Sequence, residues 1–117
     1  MLIPKIIDCC TPNLGTESLT DADKVVSGKP LTQLDNRYSD PTDHFHCGIW
    51  SSTVGKWTIH YTEHEFCHLL AGRVRLTADD GTVRDLSAGD AFVIPAGFRG
   101  TWETLENARK YYALYQP

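Results

Sequence analysis

The chain has 117 residues, 41% hydrophobic and 22% charged, and a net charge of −4 from 11 basic and 15 acidic side chains. This fits one globular domain, long enough to bury a core without staples. The balance leaves no basic footprint for nucleic acid and no polybasic patch for a membrane surface, and no run approaches transmembrane length.

The opening run "MLIPKIIDCC" is interrupted by Pro4 and Lys5 and ends at Asp8. It is too short for the apolar region of a signal peptide, so a cytoplasmic location is expected. Cysteines stand at 9, 10, 47 and 67. Adjacent cysteines such as Cys9 and Cys10 rarely bridge, and the spacing fits neither a zinc site nor a disulfide framework. Reduced thiols are expected in that compartment. Residues 1–42 are the least regular part, with turn formers in "TPNLGTESLTDAD" and "NRYSDPTD". They are expected to give an N-terminal strand or two and a covering loop, in the same domain as a barrel over 43–117.

From residue 43 the chain reads as short strands, at 43–50, 54–61, 65–70, 73–78, 82–86, 91–94, 98–105 and 109–115. Gly, Pro, Asp or Ser separates most of them. Asp80-Gly81 between "RVRLTAD" and "TVRDL" is a strong hairpin signal. No apolar period of 3.6 residues is sustained. Many short strands with turn signals predict an all-β sandwich or barrel.

"EFCHLLAGRVRL" followed by "SAGDAFVIPAGFRGTW" resembles the two halves of the cupin signature. Glu65 and Gly72 stand at the spacing of its first motif, and Gly89, Pro95 and Gly97 at that of its second. "GIW", "GKWTIHYTEHEFCHLLAG", "GDAFVIPAGFRGTWETLE" and "ARKYY" are similar to the small single-domain cupins of the ethanolamine-utilisation and ureidoglycine-aminohydrolase-like family. The resemblance implies a single RmlC-like jelly-roll β-barrel, here with an irregular N-terminal segment, and commonly a dimer. It does not imply one reaction.

The family's metal ligands are an H-x-H pair, the glutamate and a second-motif histidine. The last falls on Gly100. The pair falls on Thr58 and His60 or on Ile59 and Tyr61, depending on the gap before Glu65. Successive strand residues face opposite ways. Trp57, Ile59 and Tyr61 form the apolar face, so Ile59 and Tyr61 are expected inside and His60 outside. Glu65 is then the one good ligand, whereas transition metals normally take three or four. No cofactor is favoured; a divalent transition metal touching His60 and Glu65 is the alternative. His64 is expected on a surface turn and His68 on the face opposite Glu65. His44 and His46 form an H-x-H pair in "DHFHCGIW", but no glutamate follows at motif spacing, and an alternating strand explains the pair.

A metal-free barrel can still hold a small-molecule ligand in its mouth. The expected pocket contains Ile59, Tyr61, Glu65, Cys67, Gly100 and Trp102. It also takes either Lys110 and Tyr112 or Tyr111 and Ala113; Leu114, sharing the first face, favours Lys110 and Tyr112. Glu65 is the candidate acid–base residue, because burial among apolar groups raises a carboxyl pKa unless a cation offsets it. The structural alternative is a carboxylate held by Tyr61 or paired with Lys110. Cys67 reads as a small buried filler, and Trp102 and Tyr112 suit core packing equally well.

Three functions follow: a small-molecule-binding cupin with acid–base chemistry at Glu65, a non-catalytic binding or assembly module, or a metal-dependent cupin enzyme of aminohydrolase or oxygenase type. Trp50, Phe66, Tyr111 and Tyr115 are expected outside the barrel as an apolar patch that invites a homodimer.

Overall fold

Alternation of apolar and polar side chains produces nine strands in the computed structural model, which describes residues 3–11 and 15–117. They are β1 (Thr16–Leu19), β2 (Val25–Gly28), β3 (Leu31–Ser39), β4 (Phe45–Ser52), β5 (Gly55–His60), β6 (His64–Ala78), β7 (Val83–Ser87), β8 (Ala91–Ile94) and β9 (Arg99–Tyr115). No helix forms among the described residues.

The two long strands organise everything else. β9 pairs with β6 along nearly its whole length. Its other edge takes β5 against Arg99–Thr104 and β4 against Ala108–Tyr115. β6 likewise carries β8 on Glu65–His68 and β7 on Arg73–Thr77. Both bend at one place. The β6–β9 register slips between Leu69 and Val74, and Gly72 there has φ +85°, with a Cβ at that position only 2.3 Å from the Asn107 carbonyl oxygen. Only glycine fits both demands. The bend carries each strand from one half of a curled antiparallel sheet to the other. The result is an all-β jelly roll.

This bend corrects four expected strands to two. Segments 65–70 and 73–78 are one strand, as are 98–105 and 109–115. The slip explains the misreading: inward residues are Glu65, Cys67 and Leu69 before Gly72, then Val74 and Leu76 after it, so the period of two is broken without the strand ending. Asp80-Gly81 does make the β6–β7 hairpin, with Gly81 at φ +91°. Three strands, rather than one or two, precede residue 43. β3 pairs with β4, β1 with β3 and β2 with β5. Residues 1–2 and 12–14 of that segment lie outside the described residues.

The core joins Trp57, Cys67, Leu69, Val74, Leu76, Ile94, Trp102 and Ala108. Trp50 belongs with it, contrary to its expected outward position. The β4–β9 ladder sets Trp50 opposite Lys110, and directly paired residues share a face. Its ring meets Trp102 edge-on at 5.2 Å, while Trp57 stacks on Trp102 at 6.3 Å. Such pairs add about 0.5–1.5 kcal/mol each beyond their buried area.

Candidate functional site

Glu65 enters the barrel from the start of β6, flanked by exposed His64 and Phe66. Two neighbours, Tyr61 and Lys110, hold it directly. The Tyr61 hydroxyl, from the turn after β5, donates to Oε1 at 2.7 Å. Lys110 of β9 sets Nζ 3.1 Å from Oε2. The same ammonium lies 3.6 Å from Cys67 Sγ and stands over the Trp102 and Trp50 rings at 4.4 and 4.6 Å from their centroids. A buried carboxylate survives only when paired and hydrogen-bonded, and Glu65 has both.

Electrostatics keep the surrounding acids neutral. Burial pushes the Cys67 thiol up to about 12, with the Lys110 charge pulling the other way. Burial, reinforced by the Glu65 charge, holds the Tyr61 phenol well above its ordinary range. Cys67 is therefore a thiol rather than a nucleophilic thiolate at neutral pH. Tyr112, also raised by burial, donates from its hydroxyl to Asn36 Oδ1 at 2.6 Å. Trp102 Nε1 donates to Thr104 Oγ1 at 3.0 Å.

The expected pocket residues are placed as follows. Ile59 and Tyr61 pack against the core, and His60 is exposed. Ile59 pairs with Gly100 and Trp57 with Trp102 across β5 and β9. Lys110 and Tyr112, not Tyr111 and Ala113, are the inward pair on β9, buried beside Cys67 and Trp102. His64 is exposed and accepts from the Ala96 N–H at 3.1 Å. His68 sits on the outer face near Tyr111. His44 and His46 brace the turn before β4: His44 Nδ1 lies 2.6 Å from the Gln116 carbonyl oxygen, and His46 Nδ1 lies 2.6 Å from Ser39 Oγ. Sequence reading missed Trp50 and Asn36, which follow only from the β3–β4–β9 register.

The side chains at the four metal positions do not fit a transition metal. Ile59 carries no donor. Glu65 is engaged by Tyr61 and Lys110. At Gly100 a Cβ would lie 1.9 Å from the Thr77 carbonyl oxygen, so the β6 backbone fills the place of a histidine side chain. Among the described residues no three His, Cys, Asp or Glu side chains converge.

Two openings lie in this half of the barrel, and one of them reaches the cluster at Tyr61. A mostly apolar cavity of about 310 Å³ is lined by Leu76, Leu86, Phe92, Ile94 and Phe98, among others. Its wall residue Ile94 pairs with Glu65 across β6 and β8, but neither Glu65 nor Lys110 lines it. A more polar groove of about 690 Å³ runs between the β1–β2 turn and β5, touching Tyr61, Ile59 and Trp57.

A curled jelly roll whose first-motif glutamate and second-motif turn occupy these places defines a cupin. Residues 39–112 match the model of the EutQ-like cupin domain, and the chain belongs to that family. It superposes on a protein of unknown function of the DUF861 family from Pseudomonas syringae pv. tomato with a TM-score of 0.80 and 26% identity, over 92% of this chain and 46% of that one. The chain thus spans less than half the length of that relative. A DUF861 protein from Thermotoga maritima is 36% identical over 55% of this chain and 73% of its own, with a TM-score of 0.54. The Clostridium difficile EutQ protein shares the fold at a TM-score of 0.66 and 16% identity, over 85% of this chain and 80% of its own. No curated protein matches. No helix among the described residues is long and apolar enough to cross a membrane.

Proposed function

We propose that this chain is a metal-free small-molecule-binding cupin of the cytoplasm, acting as a homodimer, with Glu65 as its acid–base group. The observation that supports the metal-free reading most is the buried Glu65–Lys110 pair at the family's metal-ligand position; the same pair also fits a purely structural Glu65, so the acid–base role stands on its test by substitution. The protein's own ammonium takes the place of a metal cation beside the carboxylate. A ligand seated in the groove lined by Trp57, Ile59 and Tyr61 reaches Glu65 through its hydrogen-bond partner Tyr61, and fixed polar groups beside apolar walls are the usual pattern of a binding site. Fold alone supports many activities, so the reading rests on the site.

A thermal-shift screen of amino acids, ureides and small carboxylates tests it, since a ligand that binds only the folded state raises the melting temperature. The expected result is a stabilising compound whose complex shows it against Glu65. A compound whose complex shows it bound away from Glu65, Tyr61 and Lys110 would contradict the assignment. Catalysis has its own readout: Glu65→Gln abolishes turnover of that compound while binding persists.

A second reading, a non-catalytic assembly module, is supported by the outer face of β6 and β8. Phe66 and Val93 pair there with 49% and 58% of their surfaces exposed.

A further inference from the structure

β8 pairs with β6 before the bend at Gly72 and β7 pairs with it after, and β7 and β8 do not pair with each other. The two halves of the curled sheet therefore stand apart between these two strands. The apolar cavity of about 310 Å³ lies there, lined from both sides. Of its walls, Leu76 and Ile94 are buried. Leu86, Phe92 and Phe98 pack against the core but are only partly buried. Small-molecule pockets have this character and start at about this size, roughly 300–1,000 Å³.

One cation opens onto this apolar space. Arg84 lines the cavity together with Thr82. It stands opposite Leu76 in the β6–β7 ladder, and directly paired residues share a face. The neighbouring arginines are engaged elsewhere. Arg75, on the other face, donates to both carboxylate oxygens of Asp85 at 2.7 and 3.0 Å, and Arg73 pairs with Glu106. Asp80, in the adjoining turn, accepts from the Thr82 backbone N–H. Among the described residues Arg84 has no ion-pair partner. A guanidinium presents its donors as a planar fork that a carboxylate fills with two parallel hydrogen bonds.

We propose that this cavity binds an amphipathic monocarboxylate, one ring or a short branched chain in size. Its carboxylate sits on Arg84 and its body lies among Leu86, Phe92 and Phe98. One guanidinium matches one negative charge. A phosphate monoester carries about −1.5 to −2, which would leave charge uncompensated on a chain whose own net charge is −4. The Thr82 hydroxyl supplies a further donor at the same wall. Such a ligand differs in class from the polar compounds suited to the groove at Tyr61. No residue lines both openings, so binding in one is independent of binding in the other.

Phenylacetate and its uncharged analogue phenylacetamide, titrated into the full chain and followed by NMR, test this. The expected result is saturable binding of one phenylacetate per chain, with intermolecular NOEs from its ring to Leu86 and Phe98. Phenylacetamide should bind at least about tenfold more weakly, and so should phenylacetate to Arg84→Gln, because a hydrogen bond to a charged group is worth more than a factor of ten. Arg84→Lys, which keeps the charge and loses the fork, should fall between. Arg73→Gln should bind as wild type, and Arg84 is exposed, so its variants should melt as wild type does. No saturable binding, equal affinity for the amide, unchanged affinity in Arg84→Gln, or NOEs to residues outside the cavity would each overturn the proposal.

Discussion

The Lys110 ammonium lies 3.1 Å from Glu65 Oε2, with the two side chains 4% and 8% exposed. Removing one partner of a buried ion pair strands the other charge and costs about 3–5 kcal/mol, whereas replacing both with apolar residues is often near neutral. Glu65→Gln and Lys110→Met should each lower stability within that range. The double variant Glu65→Leu with Lys110→Met should be more stable than either single one. Urea unfolding of the four proteins checks this, and additive losses would show that the pair does not act as a unit.

Cys67 sets an alkaline limit on stability. Its pKa rises from 9.0 in the unfolded chain to about 12 on folding, so between those values the unfolded state binds fewer protons than the native one. The contribution is therefore complete below pH 9 and is lost as pH rises toward 12, and Tyr61 acts in the same direction. The urea midpoint should fall between about pH 8 and about pH 11, and less steeply in Cys67→Ala. In the folded protein at neutral pH, Cys67 should resist thiol reagents that modify it readily after denaturation.

Gly100→His would restore the family's missing ligand in sequence. The Thr77 carbonyl oxygen stands 1.9 Å from where the Cβ would be, so β6 and β9 would have to separate. The variant should lose more than ~4 kcal/mol, the range reserved for severe steric or packing faults, and should gain no metal affinity. Calorimetry and metal titration read the two effects independently.

The outer face of the barrel should carry the dimer contact. Trp50 is not available for it, but Phe66 and Tyr115 are about half exposed, and Phe45 and Val93 lie beside them in the ladders. A contiguous apolar patch of this kind marks an interaction surface. Light scattering at micromolar concentration should give a dimer for the wild type and a monomer for Phe66→Asp. A wild-type monomer would contradict the assignment.

Much of this arrangement was legible in the residues themselves. The apolar alternation of Trp57, Ile59 and Tyr61 placed His60 outside, and the six-residue gap from Glu65 to Gly72 placed the carboxylate inside. Leu114 pointed correctly to Lys110 and Tyr112. What escaped depends on pairing between distant segments. A parity count within 43–50 cannot say which face of β4 meets the core; the ladder from Trp50 to Lys110 does. The slip at Gly72 reverses parity in mid-strand, so one long bent strand read as two. Asn36 became visible only through Tyr112, seventy-six positions away in sequence.

Elemental analysis of untagged protein, purified without chelators and paired with Glu65→Gln, tests the metal-free barrel most directly. A site built around Glu65 and Lys110 predicts transition metals far below one per chain in both proteins. One stoichiometric metal in the wild type, lost on substituting Glu65, would contradict it.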